Sequence, residues 1–323
     1  MRSVVFIVVW LTIGVVSAAA AEPCPGNPDA LGTSRVLTIS PGELSRIGSI
    51  QYSQSLPLED HEVVITFDDG PIPPYTNSVL DTLASQCVKA TYFLVGEMAQ
   101  AYPSIVRRIY NAGHTIGTHS QNHPLAFQHL SLQNAERQVD NGIASVDTAL
   151  GDPKALSPFF RIPGLGRTGA IEDYLASKSL VTWSADVVAD DWKHIGASEI
   201  VRRAMRRLEA KGRGILLLHD IHPATALALP VLLKELKEHG YHIVQVVSAG
   251  ERPESLPELV ASPAAKESWP RVVTATTHES AAKTALRHRV KKIMSGKHRR
   301  PSVAGLHESD TTAASQDWRQ SQF

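Results

Sequence analysis

From Val63 to Val247 the chain alternates between short apolar, β-rich runs and longer stretches with helical periodicity. The runs are "VVITFD", "ATYFLVG", "TIGTHS", "FFRIPG", "LVTWSAD", "GILLLHD" and "YHIVQVV". Between them, "NSVLDTLASQC" opens on Asn77 as a helix N-cap and "PSIVRRIYNAG" ends on Gly113. "SLQNAERQVDNGIASVDTAL" is long and amphipathic, and a further helix starts at Ser198, carries Glu199 in its first turn and closes on Gly212. Strands alternating with helices imply βαβ units and parallel pairing. About seven such units favour an α/β barrel over an open sheet, although alternation alone fits both.

Outside this span the chain changes character. Arg2, the apolar run "VVFIVVWLTIGVV" and "SAAAAE" describe a secretory signal peptide over residues 1–21, cut after Ala21. The alternative, an uncleaved anchor, has to contend with a run short of the ~20 residues a span needs. The mature protein is therefore expected to be exported, to the periplasm or the cell exterior. Residues 22–60 form an N-terminal extension in which "RVLTIS" reads as a short strand, and 61–250 form the expected barrel. Residues 251–323 are rich in Pro, Ser, Thr, Ala and charge without apolar periodicity, which reads as a disordered tail. Its segment "RHRVKKIMSGKHRR", Arg287 to Arg300, holds no acidic residue. That segment either contacts anionic envelope polymers or stands as a solvated tail without a partner. With 32 basic and 32 acidic residues, the chain as a whole is no electrostatic nucleic-acid binder. Cys24 and Cys87 are the two cysteines. In an oxidising compartment a disulfide pinning the extension to the body is one expectation, and two free thiols the other.

The chemistry gathers where the β-rich runs end, which in a parallel barrel is the functional pole. Asp68 and Asp69 close the first run, and "HSQNHP" brings His119 and His123 after the third. Arg161 lies in the fourth, Asp186 ends the fifth and His219 the sixth. Adjacent carboxylates at the mouth of a buried strand call for a turn or a cation. Two histidines four apart, set on one face by a helical turn, together with Asp69 make a three-ligand set for a catalytic divalent metal. Asp68 is then left free as a general base, and Arg161 orients it. His219 is the candidate acid, with Asp186 a candidate partner keeping it cationic. The backbone N–H of Gly164 is a candidate oxyanion donor.

In order and spacing, "TFDDGP", "HSQNHP", "FRIPG", "DVVADDW" and "LLLHD" resemble the five motifs of the NodB-like polysaccharide deacetylases, carbohydrate esterase family 4. The resemblance covers about Val63 to Val247. It implies a distorted (β/α) barrel of about seven parallel strands and a divalent metal, most simply zinc. The implied activity is removal of N- or O-acetyl groups from chitin oligomers, peptidoglycan or xylan. By position, Asp68 resembles the base, Asp69, His119 and His123 the metal ligands, Arg161 the residue that positions the base, and His219 the acid tuned by Asp186. Trp192 and Leu217 resemble residues lining the acetyl pocket, and Pro163 with Gly164 the adjoining substrate contact. Two departures stand out. Gly164 follows Pro163 where the family usually has a tyrosine, so a wall of the sugar cleft is missing. The motif "DVVADDW" carries extra residues, which leaves Asp186, Asp190 and Asp191 all open as partners of His219.

The expectation is a secreted, monomeric N-deacetylase acting on an acetylated, N-acetylglucosamine-containing glycan. An O-acetyl esterase and a non-catalytic glycan-binding barrel are the alternatives. Asp220 is expected to be a structural hydrogen-bond partner, and His222 a surface residue.

Overall fold

A computed structural model describes residues 24–152 and 154–249. The expected signal peptide (1–21) and tail (251–323), including the basic segment, lie outside the described residues. Among the described residues, ten strands and seven α-helices follow in chain order: β1 Arg35–Ile39, β2 Arg46–Ile47, β3 Glu62–Asp68, α1 Tyr75–Ser85, β4 Thr91–Leu94, α2 Gly96–Ala101, α3 Pro103–Asn111 and β5 Thr115–Thr118. Then come α4 Leu132–Leu150, β6 Phe159–Arg161, α5 Gly169–Ser177, β7 Val181–Trp183, β8 Val187–Val188, α6 Ala197–Lys211, β9 Gly214–His219, α7 Pro223–Glu238 and β10 His242–Ser248. No described helix is long and apolar enough to cross a membrane.

Every strand pair is parallel. The main path runs β1-β10-β3-β4-β5-β6-β7-β2, while β9 pairs with both β3 and β8. Only Ser184, Ala185 and Asp186 separate β7 from β8. The strands therefore circle from β3 round to β9 with a break at that junction, a distorted parallel barrel. The strand expected at "RVLTIS" is present as β1, paired with β10, and of the two alternatives for the cysteines the structure has the disulfide, Cys24 bonded to Cys87. The short β2, beside β7, was not legible from the sequence.

Period-two alternation sorts each strand between two buried faces. On β3, Val63, Ile65 and Phe67 join the core shared with the helices, whereas Val64 joins the interior cluster with Phe93, Phe159, Trp183 and Ile215. Thr66 and Asp68 follow Val64 inward. By the same count Arg161 shares the face of Phe159, and Leu217 and His219 share that of Ile215. A carboxylate, a guanidinium and an imidazole thus enter the interior because the alternation that buries the apolar residues leaves them there.

Helix ends follow local chemistry. Ser131 caps α4 by accepting from the Asn134 N–H, and Gly151 and Gly212 close α4 and α6 in the left-handed conformation. The expected cap at Asn77 is displaced: α1 begins at Tyr75 behind Pro74, and the Asn77 side chain accepts instead from Arg108, at 2.6 Å.

Candidate active site

In the parallel register of β3 and β9, Asp68 stands directly opposite His219. Both face the interior, and both are almost fully buried. Asp68 Oδ1 accepts from Arg161 Nη1 at 2.7 Å, and the same nitrogen donates to Thr66 Oγ1 at 2.8 Å. The other guanidinium nitrogen, Nη2, donates to the Ser184 carbonyl at 2.9 Å. The guanidinium carbon lies 4.2 Å from the centre of the Phe93 ring. Arg161 is thus fixed on three sides, as a residue meant to aim one carboxylate must be.

Asp69 sits one residue past the strand with φ +75°, which turns its carboxylate back over the barrel end. His119 Nε2 and His123 Nε2 lie 3.4 and 3.3 Å from Asp69 Oδ1. That oxygen is buried and has no hydrogen-bond partner. His119 Nδ1 is 2.6 Å from the Arg161 carbonyl, which assigns its proton to Nδ1 and leaves the Nε2 lone pair facing Asp69. Burial, the largest influence, pulls the His119 pKa down to about 4, so its imidazole is neutral near pH 7. For Asp69 burial opposes ionisation, but the imidazoles of His123, His219 and His119 outweigh it and bring the pKa to about 2. One donor atom from each of Asp69, His119 and His123 lies within 4.8 Å of the others. A buried orphan carboxylate oxygen and two imidazole lone pairs around one point fit a divalent cation. The helical turn expected to pair the histidines is absent: residues 119–123 form a loop with Ser120 at φ +67° and His123 at +50°.

His219 Nδ1 meets Asp191 Oδ1 at 2.9 Å, and Asp191 Oδ2 accepts from the His219 backbone N–H and the Thr225 hydroxyl, both at 2.7 Å. Burial favours the neutral ring, but the Asp191 carboxylate, with Asp69 and Asp68 beyond it, raises the His219 pKa to about 10. The partner of His219 is therefore Asp191, which corrects the assignment of Asp186. Asp186 Oδ2 accepts from the Ile215 N–H at 2.9 Å, at the start of β9. Four residues of strand, ~13 Å, separate that point from His219. Asp186 ties down the N-terminal segment instead, accepting from the Ser49 N–H and hydroxyl and from the Ser55 hydroxyl at 2.8, 2.5 and 2.7 Å.

The remaining expected residues border this group. Trp192 presents its ring edge-on to His219, centroids 5.7 Å apart, and is 42% exposed. Leu217 is buried on the face of His219. Pro163 is buried in the turn after Arg161, while Gly164 is exposed at φ +57° with only the Leu125 carbonyl within 4 Å of where a Cβ would stand. His222 is only half-exposed, its ring 5.8 Å from that of His219, so the surface expectation does not hold. Asp220 is fully buried beneath Gly70, where any Cβ would come within 2.4 Å of its carboxylate oxygens.

Comparisons with known proteins point to one family. A family model described as polysaccharide deacetylase matches residues 56–182. The peptidoglycan-N-acetylglucosamine deacetylase PgdA of Listeria monocytogenes is 34% identical over 187 residues, 57% of this chain, which spans only 38% of that relative. A peptidoglycan-N-acetylglucosamine deacetylase of Bacillus cereus is 33% identical over 213 residues, 63% of this chain and 94% of the relative. Among solved structures, the Bdellovibrio bacteriovorus peptidoglycan deacetylase Bd3279 superimposes with a TM-score of 0.60 at 28% identity, over 67% of this chain and 59% of the other. The matched span, the near-complete coverage of the Bacillus cereus relative and the strand-end constellation converge: the chain belongs to the NodB-like polysaccharide deacetylases, carbohydrate esterase family 4.

Proposed function

We propose that this chain is an exported, metal-dependent N-deacetylase that hydrolyses the acetamide of N-acetylglucosamine units in peptidoglycan or chitooligosaccharide. The observation that carries the reading is the β3–β9 register, which sets Asp68 beside His219. Asp68 Oδ2 is 3.8 Å from His119, and His219 Nε2 is 3.9 Å from Asp69, so a base and an acid each adjoin the three-ligand set. The names of the relatives support peptidoglycan as the polymer. Export is supported by the N-terminal sequence and by the Cys24–Cys87 bond.

Asp69, His119 and His123 would hold the cation, most simply zinc, which when bound supplies Lewis-acid polarisation of the acetamide and acidification of water. Asp68, aimed by the hydrogen bond from Arg161, takes the proton of the attacking water. The backbone N–H of Gly164 donates to the oxyanion as the carbonyl carbon becomes tetrahedral. His219, held cationic by Asp191, protonates the departing nitrogen, and acetate leaves with a free amine on the sugar. Leu217 and Trp192 line the space for the acetyl methyl.

Acetate release by the purified mature protein tests this, with N-acetylglucosamine oligomers, peptidoglycan and acetylxylan offered with zinc and after chelation. Release from an amide substrate, abolished by chelation and restored by zinc, is expected. Asp68→Asn should retain metal and lose ~10²-fold or more in turnover, the scale of a positioned base, whereas His119→Ala should lose both. Release from acetylxylan alone would make the protein an esterase. Glycan binding without release from any substrate would make it a binding protein.

A further inference from the structure

Asp190 and Asp191 are adjacent carboxylates that the structure sends in opposite directions, Asp191 to His219 and Asp190 to helix α6. Strand alternation does not produce this arrangement. Val187 and Ala189 belong to the helix-side core, so a regular strand would turn Asp190 to the opposite face and Asp191 towards the helices. The reversal occurs at Asp190, whose φ is +58°. A left-handed aspartate without a glycine's freedom persists only where its surroundings hold it.

Those surroundings are two arginines. Asp190 is 5% exposed, and its Oδ2 accepts from Arg203 Nη1 at 2.8 Å and from Arg207 Nη2 at 2.9 Å. Lys193 Nζ lies 3.5 Å away. The two arginines are four residues apart and so share one face of α6. Each is itself anchored: Arg203 Nε donates to Glu199 Oε1 at 2.6 Å, and Arg207 Nη1 donates to the Val188 carbonyl at 2.6 Å. Arg207 thus grips both the last residue of β8 and the carboxylate that follows the strand. The residue immediately after this clamp carries the carboxylate bonded to His219.

We propose that Arg203 and Arg207 are positioning residues for the His219–Asp191 pair, acting through the left-handed turn at Asp190. The proposal rests on His219 being the general acid of the reaction proposed above. Without the clamp, Asp190 relaxes to an ordinary strand conformation, and the Asp191 carboxylate swings away from the imidazole. The arginines lie on the α6 side of β8, so their effect on catalysis is transmitted through the backbone.

The test uses the mature protein with Arg203→Gln/Arg207→Gln, with Asp190→Asn as a milder second variant and Arg203→Lys/Arg207→Lys as the conservative one. Three readings are taken: kcat and KM for acetate release from N-acetylglucosamine oligomers, bound zinc, and the ¹⁵N-histidine spectrum, with the His219 resonances assigned by their loss in His219→Gln. The glutamine variant should lose about tenfold or more in kcat, part of the ~10²–10⁴ a positioned acid supplies, with KM changed less than about threefold. Its His219 Nδ1 resonance should move, its zinc content should not, and the lysine variant should recover most of the kcat. Asp190→Asn should shift the same resonance in the same direction. Unchanged kcat and an unchanged His219 resonance in the glutamine variant would overturn the proposal, as would a lowered Tm with both readings intact. Absence of acetate release by the wild-type protein would sink the deacetylase reading alone, because the resonance comparison between wild type and variants still decides the positioning role.

Discussion

Between residues 186 and 191 the chain carries three aspartates, and each faces a different environment: Ser49 and Ser55, the α6 arginines, and His219. Exchanging the first and the last of these should separate stability from catalysis. Asp191→Asn removes the negative charge that keeps His219 cationic, so turnover should fall by ~10² or more, measured as kcat with folding checked by circular dichroism. Asp186→Asn should leave kcat within about threefold and lower unfolding stability by about 2 kcal/mol, the scale of hydrogen bonds to a charged group. Its pH dependence has a defined sign. Burial opposes ionisation of Asp186, but hydrogen bonds from Ser49, Ser55 and Ile215 outweigh it and hold the folded pKa below its ordinary value. The contribution is therefore complete above the unfolded pKa of about 3.9 and is lost as pH falls through the folded value. Urea midpoints of wild type and Asp186→Asn should differ fully at pH 7 and converge in acid; a constant gap would refute the assignment. The sequence left all three aspartates open as partners of His219 and did not show that Asp186 binds Ser49 and Ser55. Alternation counted from Val187 and Ala189 turns Asp186 and Asp190 to the interior face, and nothing in "ADDW" announces a left-handed Asp190.

At the scale of elements, the residues expected to bind the metal come together as read, though not by the expected means. The loop 119–123 is held between two helices. The first N–H groups of α2, on Gly96 and Glu97, donate to the Ser120 and Gln121 carbonyls at 3.0 and 2.8 Å. From α4, Gln138 Oε1 accepts from the Gln121 and Asn122 N–H groups, both at 3.1 Å. This closeness requires glycine at position 142 of α4, where a Cβ would stand 2.6 Å from the Ser120 carbonyl carbon and 2.7 Å from its oxygen. In an open helix interior, Gly→Ala stabilises by about 1 kcal/mol. Gly142→Ala should do the reverse, destabilising by about 1–3 kcal/mol through overpacking against backbone, and should weaken divalent-metal affinity as the histidine loop is pushed off α4. A urea titration and competition against a chelator would measure the two effects, and a stabilised variant with unchanged metal affinity would contradict the packing argument. The histidine spacing was visible in the sequence because both side chains are polar and close together. The support was not, because Gly142 within an amphipathic pattern looks merely like a weak helix position.

For the whole molecule, the strands that carry the chemistry were legible as short β-rich runs, since each is buried along its length. What escapes a linear reading is where the chain before residue 60 docks: the strand at "RVLTIS" and the disulfide were expected, but β2 and the distant partners of the segment were not. The terminal strands of the sheet path both come from it: β1 pairs with β10 and β2 with β7. It also supplies Ile39, Ile47, Leu56 and Leu58 to the interior cluster. Gln51 Nε2 donates to the Leu165 carbonyl at 2.6 Å, and the Tyr52 hydroxyl donates to Glu172 at 2.8 Å, tying the segment to the turn beside Gly164. The Cys24–Cys87 bond fastens its start across a sequence separation of 63 residues. In the chain-entropy treatment, a loop of that length is worth about 4 kcal/mol. Cys24→Ser/Cys87→Ser should therefore lower unfolding stability by roughly 2–4 kcal/mol and leave kcat unchanged at 25 °C, because none of the proposed catalytic residues adjoins either sulfur. Deleting residues 24–58 removes far more, two strands and four interior apolar side chains, and should abolish folding. A cysteine-free variant as stable as the wild type would refute the contribution of the disulfide, and a folded and active deletion variant would show that the barrel closes without its N-terminal segment.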